Sequence, residues 1–452
     1  MKKGFWFQIH WLLGIVLGVI IAIVGVTGAA LSFRSEILAF INKDIVYVEP
    51  NGRTQLAVNE LLEKANVALP NSRINSLTLA LEPDKTARIS VSNANSTNMR
   101  GKTYYIDPYT AEILPSLEGE WFFALMTRWH RWLGDTSGIG KQVVAIATIA
   151  LIILSFSGLY LYWPFLRHKF FSSLTIDFKK KGRGFLYKLH SVFGIWTLIF
   201  VLLMSFTGLF WSYEWYRNGL YWLAGVERPM PRMQMNTNVT TAQNTENTAN
   251  RQNRQSVNTT QEHSRAQNEH THERAANFDG TQIANSNVSM DRNLSKVEES
   301  RTQITKSVDA TLTPNSTKTA ELYLKAAQAY ELFKSSVDND YITTTIMLPQ
   351  YGNIFTFGYY PKNPAHSRAS NQLQIDMEKN EVIRHAKYED KKLGEKFMSS
   401  IFPLHSGDFF GMTGLILYCI SSLAMALFAI TGYMLYYDRF IKNRKKTKRK
   451  NA

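Results

Sequence analysis

The sequence predicts an α-helical membrane protein: four transmembrane helices built from a duplicated two-helix unit, with two small α+β modules on the extracytoplasmic side. Three observations carry this prediction. First, four apolar runs, at 11–33, 143–163, 192–211 and 415–437, approach or exceed the roughly 20 residues needed to cross about 30 Å of hydrocarbon. Second, a spacing repeats: His10 precedes Thr27-Gly28 by 17 and 18 residues, and His190 precedes Thr207-Gly208 by the same 17 and 18. His130 precedes Ser157-Gly158 by 27 and 28, and His405 precedes Thr431-Gly432 by 26 and 27. Third, the net charge of +15 is concentrated at Lys2-Lys3, from Arg167 to Lys188, and from Arg439 to Lys450. Four spans put all three clusters on one side, which the positive-inside rule assigns to the cytoplasm together with both termini. The charge is therefore an orientation signal, with the anionic headgroups of the bilayer as its partner and no nucleic acid.

The elements follow in order. Residues 1–38 hold transmembrane helix 1, whose apolar core exceeds the roughly 7 to 15 residues of a secretory signal and so reads as a span. Residues 39–118 form the first module, with a short amphipathic helix at 56–65 and alternating strand patterns at 74–81, 87–91 and 102–107. Residues 119–166 join an aromatic approach (Trp121, Phe122, Phe123, Trp129, Trp132) to transmembrane helix 2, and residues 167–184 are a basic cytoplasmic loop. Transmembrane helix 3 lies in 185–216, followed by a second aromatic segment at 217–230. From 231 to 318 the composition turns to Asn, Thr, Gln, Ser and charged residues, too polar to bury a core, so a flexible insertion is expected; His263, His270 and His272 fall within it as solvated side chains. The second module, 319–398, repeats the first with a helix at 320–333 and strands at 341–348, 354–360 and 372–376. Each third strand ends in Ile-Asp, and Asp107 and Asp376 are expected to form turns. Transmembrane helix 4 lies in 399–438, and 439–452 is a basic cytoplasmic tail.

A single cysteine, Cys419, excludes an internal disulfide, a cysteine-rich metal cluster and the C-x-x-C-H of covalent haem attachment. Ionisable residues in or near hydrocarbon are usually functional, and imidazole is a common axial ligand of haem iron. The topology places His10 with His190 near the cytoplasmic face and His130 with His405 near the outer face, one pair per side on the axis of the repeat. The expectation is two noncovalent b-type haems, each held by a histidine pair, since one porphyrin cannot bridge about 26 Å of helix alone. Arg128, Arg131 and Lys188 stand where haem propionates would emerge, and equally where basic side chains snorkel to the interface. Gly14, Gly18, Gly134, Gly194, Gly411 and Gly414 give either room for a macrocycle or close helix packing. Thr27, Ser157, Thr207 and Thr431 bond back to their own helices or to a neighbour. His168, His366 and His385 lack symmetric counterparts and read as surface residues.

At these residues the sequence resembles the PepSY-associated transmembrane family of iron-regulated bacterial inner-membrane proteins. The resemblance lies in His10/Gly14, His130/Gly134 and His190/Gly194, in Leu404-His405-Ser406-Gly407-Asp408, in the Thr/Ser-Gly steps, in the aromatic ends Gly158 to Trp163 and Gly432 to Tyr437, and in two PepSY-like modules. It implies a dihaem ferric-siderophore reductase. Electrons would pass from an unidentified cytoplasmic reductase or quinol, through His10/His190 and then His130/His405, to a periplasmic ferric siderophore. The sequence has no G-x-G-x-x-G nucleotide fingerprint, so the donor is another molecule. Two alternatives remain open at this point: haem-dependent transfer to another acceptor such as a redox protein, copper or quinone, and a nonenzymatic peptide-binding or regulatory PepSY protein.

Overall fold

The computed structural model describes residues 3–93, 101–229 and 314–442, so nearly all of the polar insertion and of the basic tail lies outside the described residues. The chain begins with α1 (Lys3–Ser32), turns through α2 (Arg34–Ile41) and α3 (Lys43–Val46), and enters α4 (Val58–Ala68) and the strands β1 (Ser72–Ala80), β2 (Ala87–Asn93) and β3 (Lys102–Ile106). It returns through α5 (Glu120–Trp132) and α6 (Ile139–His168), crosses by α7 (Phe170–Ser173), and runs out again as α8 (Arg183–Ser212) and α9 (Glu214–Leu223). The last described stretch comprises α10 (Pro314–Val337), β4 (Thr343–Met347), β5 (Ile354–Tyr360), β6 (Asn371–Asp376), β7 (Glu381–Ala386), α11 (Leu393–Ser406) and α12 (Gly411–Tyr436).

Among the described residues, helices α1, α6, α8 and α12 are the four elements long and apolar enough to span a membrane. They pack side by side in the cyclic order α1, α6, α8, α12, which leaves α1 facing α8 across the bundle axis. Both long connections leave the bundle at the same end, where the strands lie.

The strands correct the picture of two separate modules. They form one antiparallel sheet in the order β3-β2-β1-β4-β5-β6-β7. Its seam is β1 on β4, with Leu77 opposite Ile346 and Thr78 opposite Thr345. A lone three-stranded sheet would expose β1 as an edge with unpaired N–H and C=O groups, and pairing with β4 removes two such edges at once. Strand alternation runs in register across the seam, so Leu77, Ile89, Ile346, Phe357 and Leu373 share one face; α4 and α10 cover it with Leu61, Leu62, Ala65, Ala326, Ala329 and Phe333. Phe333 stacks on Phe357 with centroids 4.8 Å apart. The stretch after Asp376, expected as a turn and one apolar residue, continues as the edge strand β7. Asp107 and Asp376 do form turns, accepting from the Tyr109 and Glu378 amides at 2.7 and 2.9 Å.

Two buried polar clamps tie this sheet layer to the bundle. Asn42, 2% exposed, donates to the Leu38 and Glu118 carbonyls and accepts from the Glu118 amide at 2.6 Å, which fixes the approach to α5. His366 sits in the β5–β6 connection and, contrary to its expected surface position, is 5% exposed. Its Nδ1 accepts from the Arg368 amide at 3.1 Å, which puts the ring proton on Nε2, within reach of Tyr388 Oη (2.9 Å) and of Ser400 Oγ on α11 (3.2 Å). The polar sequence around it hides this burial, because the covering groups arrive from α11 and from the segment after β7.

The second clamp is sensitive to protons. Burial pushes the His366 imidazole below its ordinary value of 6.5, against a smaller opposing pull from Asp408. The unfolded chain takes up a proton near that pH which the folded chain resists. The stability tied to His366 is therefore complete above pH about 6.5 and is lost as the pH falls below it. Hydrogen exchange in 361–371 and in the first half of α11 should rise as pH drops from about 7 to about 5. In His366→Gln it should be raised already and flat with pH; a flat wild-type profile would refute the clamp.

Candidate functional site: two histidine pairs across the bundle axis

His10 lies inside α1 and His190 inside α8, each about two turns from the helix start. Their rings meet across the diagonal with centroids 6.2 Å apart and planes crossed at 76°. At the sheet-side end, His130 and His405 meet with the same 6.2 Å separation and a 61° crossing. These two precede the membrane-spanning helices that follow them. They occupy the last turns of the separate helices α5 and α11. Tight turns then reverse the chain: Leu133 and Gly134 (φ 51° and 77°) after α5, Gly407 and Gly411 (φ 88° and 63°) after α11. Within the α5–α6 turn Asp135 accepts from the Ser137 and Gly140 amides, capping the start of α6.

Each Thr/Ser-Gly step receives a histidine from another helix. His10 Nδ1 is 2.9 Å from Ser157 Oγ, and His190 Nδ1 is 2.8 Å from Thr431 Oγ1. His130 Nδ1 lies 3.3 Å from Thr27 Oγ1 and 2.9 Å from the Val24 carbonyl; His405 Nδ1 lies 3.1 Å from Thr207 Oγ1 and 3.0 Å from the Met204 carbonyl. Every one of these hydroxyls already donates its single proton to its own helix, to Leu154, Leu427, Ile23 and Leu203 respectively. A carbonyl, or a hydroxyl so committed, can only accept. All four imidazoles therefore carry their proton on Nδ1, and Nε2 keeps a free lone pair. Among the described residues no hydrogen bond is made by any of the four Nε2 atoms.

The glycine of the step supplies space. A Cβ at Gly28, Gly158 or Gly208 would stand 3.1 Å from Cε1 of His130, His10 or His405; Gly432 departs from this pattern, with nothing within 4 Å. The other glycines divide. A Cβ at Gly194 would meet nothing within 4 Å and one at Gly14 only Leu154 at 3.9 Å, so both leave open space one turn beyond the first pair. Gly18 packs on Tyr433, Gly134 on Trp129 and Gly414 on the Gly407 carbonyl, which are helix-packing and turn roles.

The three basic candidates are also placed. Arg128 donates to the Gly134 carbonyl at 3.0 Å, and Lys188 to the Ser172 carbonyl and to Tyr162 Oη. Arg131 stacks on Trp132 at 4.4 Å, and its charge acts on both His130 and His405. Between the two pairs the bundle packs Ile21, Ala147, Val201 and Met425, one from each spanning helix, alongside the buried hydroxyls of Thr197, Ser205 and Ser421, each bonded to its own helix, and of Ser422, on Met204 Sδ. One feature escaped the sequence, the carbonyls of Val24 and Met204 as acceptors; Trp211, one of the aromatics that follow the third span, has its ring 5.3 Å from His405.

The pairs fit a metal held between two imidazoles. A metal–nitrogen bond of about 2.0–2.1 Å on each side, with the ring centroid roughly 1 Å behind the nitrogen, requires centroids about 6 Å apart. The observed 6.2 Å at both ends meets that requirement.

The hydroxyl anchors can be tested directly. Thr431→Val leaves the buried His190 Nδ1–H without its acceptor and should cost about 1–3 kcal/mol in reversible unfolding of the detergent-solubilised protein, and Ser157→Ala, which leaves His10 the Leu154 carbonyl, should cost about 1 kcal/mol. Ser155→Ala, whose hydroxyl bonds only to Leu151 of its own helix, is the control and should stay within about 0.5 kcal/mol. Equal effects in all three would count against the anchoring role.

A family model described as the PepSY-associated TM region matches residues 7–439, and so includes both histidine pairs and the sheet between them in sequence. A search of curated proteins returned no match. From the extent of the family match, the chain belongs to the PepSY-associated transmembrane family.

Proposed function

We propose that this protein is an inner-membrane dihaem b-type oxidoreductase. It passes electrons from the cytoplasmic side or the quinol pool to a periplasmic ferric siderophore and so releases Fe(II). The observation that carries this reading is the pairing of four Nδ1-protonated imidazoles, two at each end of the bundle, with centroids 6.2 Å apart. His10 and His190 would hold one haem, and His130 and His405 the other. Bound there, each haem supplies one-electron Fe(III)/Fe(II) chemistry.

The chain's own residues set the conditions for that chemistry. Hydroxyls and carbonyls on Nδ1–H fix the tautomer and raise the basicity of Nε2. Two imidazoles would hold each haem, a ligand set that favours electron transfer over oxygen binding. The Ile21, Ala147, Val201 and Met425 layer sets apolar side chains between the two centres. Gly14 and Gly194 leave room beside the first pair, and Arg131 provides a cation for a propionate beside the second.

The basic clusters at the first pair's end orient that end toward the cytoplasm, with both termini there, and put the sheet in the periplasm. We read the chain as two copies of one plan related by an axis along the membrane normal. In that reading the two halves of the sheet are PepSY-like modules joined at β1 and β4. A ferric siderophore is a suitable acceptor because its oxygen donors suit hard Fe(III) better than Fe(II), so one electron weakens the chelate without consuming the chelator.

Absorption spectra and haem extraction should give two b-type haems per chain. His130→Ala or His405→Ala should leave one, with the remaining haem held by His10 and His190. Dithionite-reduced protein should be reoxidised by ferric siderophores in stopped flow. A colourless, folded preparation would exclude the redox reading, and reoxidation by other acceptors alone would exclude the siderophore.

A further inference from the structure

At the end of α12 nearest the His10/His190 pair, Tyr433, Met434, Tyr437 and Asp438 line a groove of about 300 Å3. From its position we propose that this groove binds an isoprenoid quinol, making the membrane quinol pool the electron donor. The proposal rests on the haem reading above and names the donor that reading leaves open.

Four observations point to this ligand. The groove lies close to the histidine pair along the helix: Thr431, which holds His190, precedes Asp438 by seven residues, about 10 Å of helix. Phe428 packs on His190 at 5.2 Å, and Tyr436 stacks on Trp11, the residue after His10, at 5.6 Å. The mouth faces outward, with Met434 and Tyr437 about half exposed (47% and 50%) on the lipid-facing surface of a spanning helix. A molecule carried in lipid reaches it without crossing water.

The third observation is the carboxylate. Asp438 is partly buried at the edge of the groove, and its neighbour Arg439 lies over Phe7 at 4.3 Å. An acid at the lipid boundary beside an aromatic groove is costly unless it has a task. The fourth is that Tyr433 is held rigidly, its hydroxyl donating to the Ile15 carbonyl at 2.5 Å and its ring against Gly18, so the groove has a fixed wall. A quinol ring held against Tyr433 and Tyr437 would have a carboxylate, Asp438, in the same groove for one of its hydroxyls.

The balance closes. A quinol loses two protons and two electrons to become the quinone. The protons leave by way of Asp438 to the aqueous side at the end of α12, and the electrons go singly to two ferric centres of the class proposed at the histidine pairs.

The test uses the full chain in phosphatidylcholine nanodiscs. Photolabelling with an azido-ubiquinone, mapped by mass spectrometry, should place cross-links within 433–438, and Met434→Trp, which fills the groove, should abolish them. This binding readout does not depend on haem. Decylubiquinol should reduce the haem absorption bands to the extent that dithionite does, and Asp438→Asn should slow that reduction by about a hundredfold while dithionite reduction is unchanged. Labels elsewhere, labels that persist in Met434→Trp, or haem that dithionite reduces and decylubiquinol does not would each overturn the quinol site with the haem reading intact. A colourless protein would refute the haem reading itself, and the photolabel would still decide whether the groove binds quinone.

Discussion

The structure turns on one hydrogen bond made four times: an imidazole Nδ1–H given to a serine or threonine hydroxyl that has already spent its own proton. The hydroxyl is an acceptor only because its helix carbonyl takes its hydrogen, as Leu154 does for Ser157 and Leu427 for Thr431. That commitment fixes the tautomer and leaves Nε2 available. It also makes each imidazole useful in a membrane, where an unpaired polar group would cost several kcal/mol. At the sheet-side end the Val24 and Met204 carbonyls repeat the constraint with an acceptor that has no alternative.

The consequences spread outward. A histidine on one helix and its acceptor on another lock the two together, and the diagonal placement of α1 and α8 brings one imidazole of each to the axis. At the other end His130 and His405 stand on α5 and α11, amphipathic helices outside the spans, so their positions depend on what holds those helices. The sheet does this through Asn42 at the approach to α5 and His366 against α11. The sheet is thus a structural support for the His130/His405 pair as well as a layer beside it.

Much of this was legible in the sequence, and what was not has physical causes. The identical spacing of His10 to Thr27 and His190 to Thr207 singled out residues that the fold brings into contact, because about 26 Å of helix separates a histidine at one end from a receptor at the other. Spacing along one helix cannot show which neighbour's histidine the receptor serves, and the exchange between antiparallel helices became visible only in three dimensions. Hydropathy located the spans but not α5 and α11, whose mixed aromatic and basic faces read as an approach to the membrane. The β1–β4 seam joins residues more than 260 positions apart, as Thr78 and Thr345 are, and no local pattern encodes such a pairing. The burial of His366 was hidden for the same reason: its covering groups are distant in sequence.

The central claim is that each end of the bundle presents two crossed imidazoles to one metal centre. Low-temperature electron paramagnetic resonance of the oxidised protein tests it most directly, since it reports axial ligation and ring orientation together. Crossed ring planes of 76° and 61° should give two low-spin ferric signals of the strongly anisotropic kind and no high-spin signal. A high-spin signal from either centre, or the absence of any haem signal from folded protein, would contradict the account.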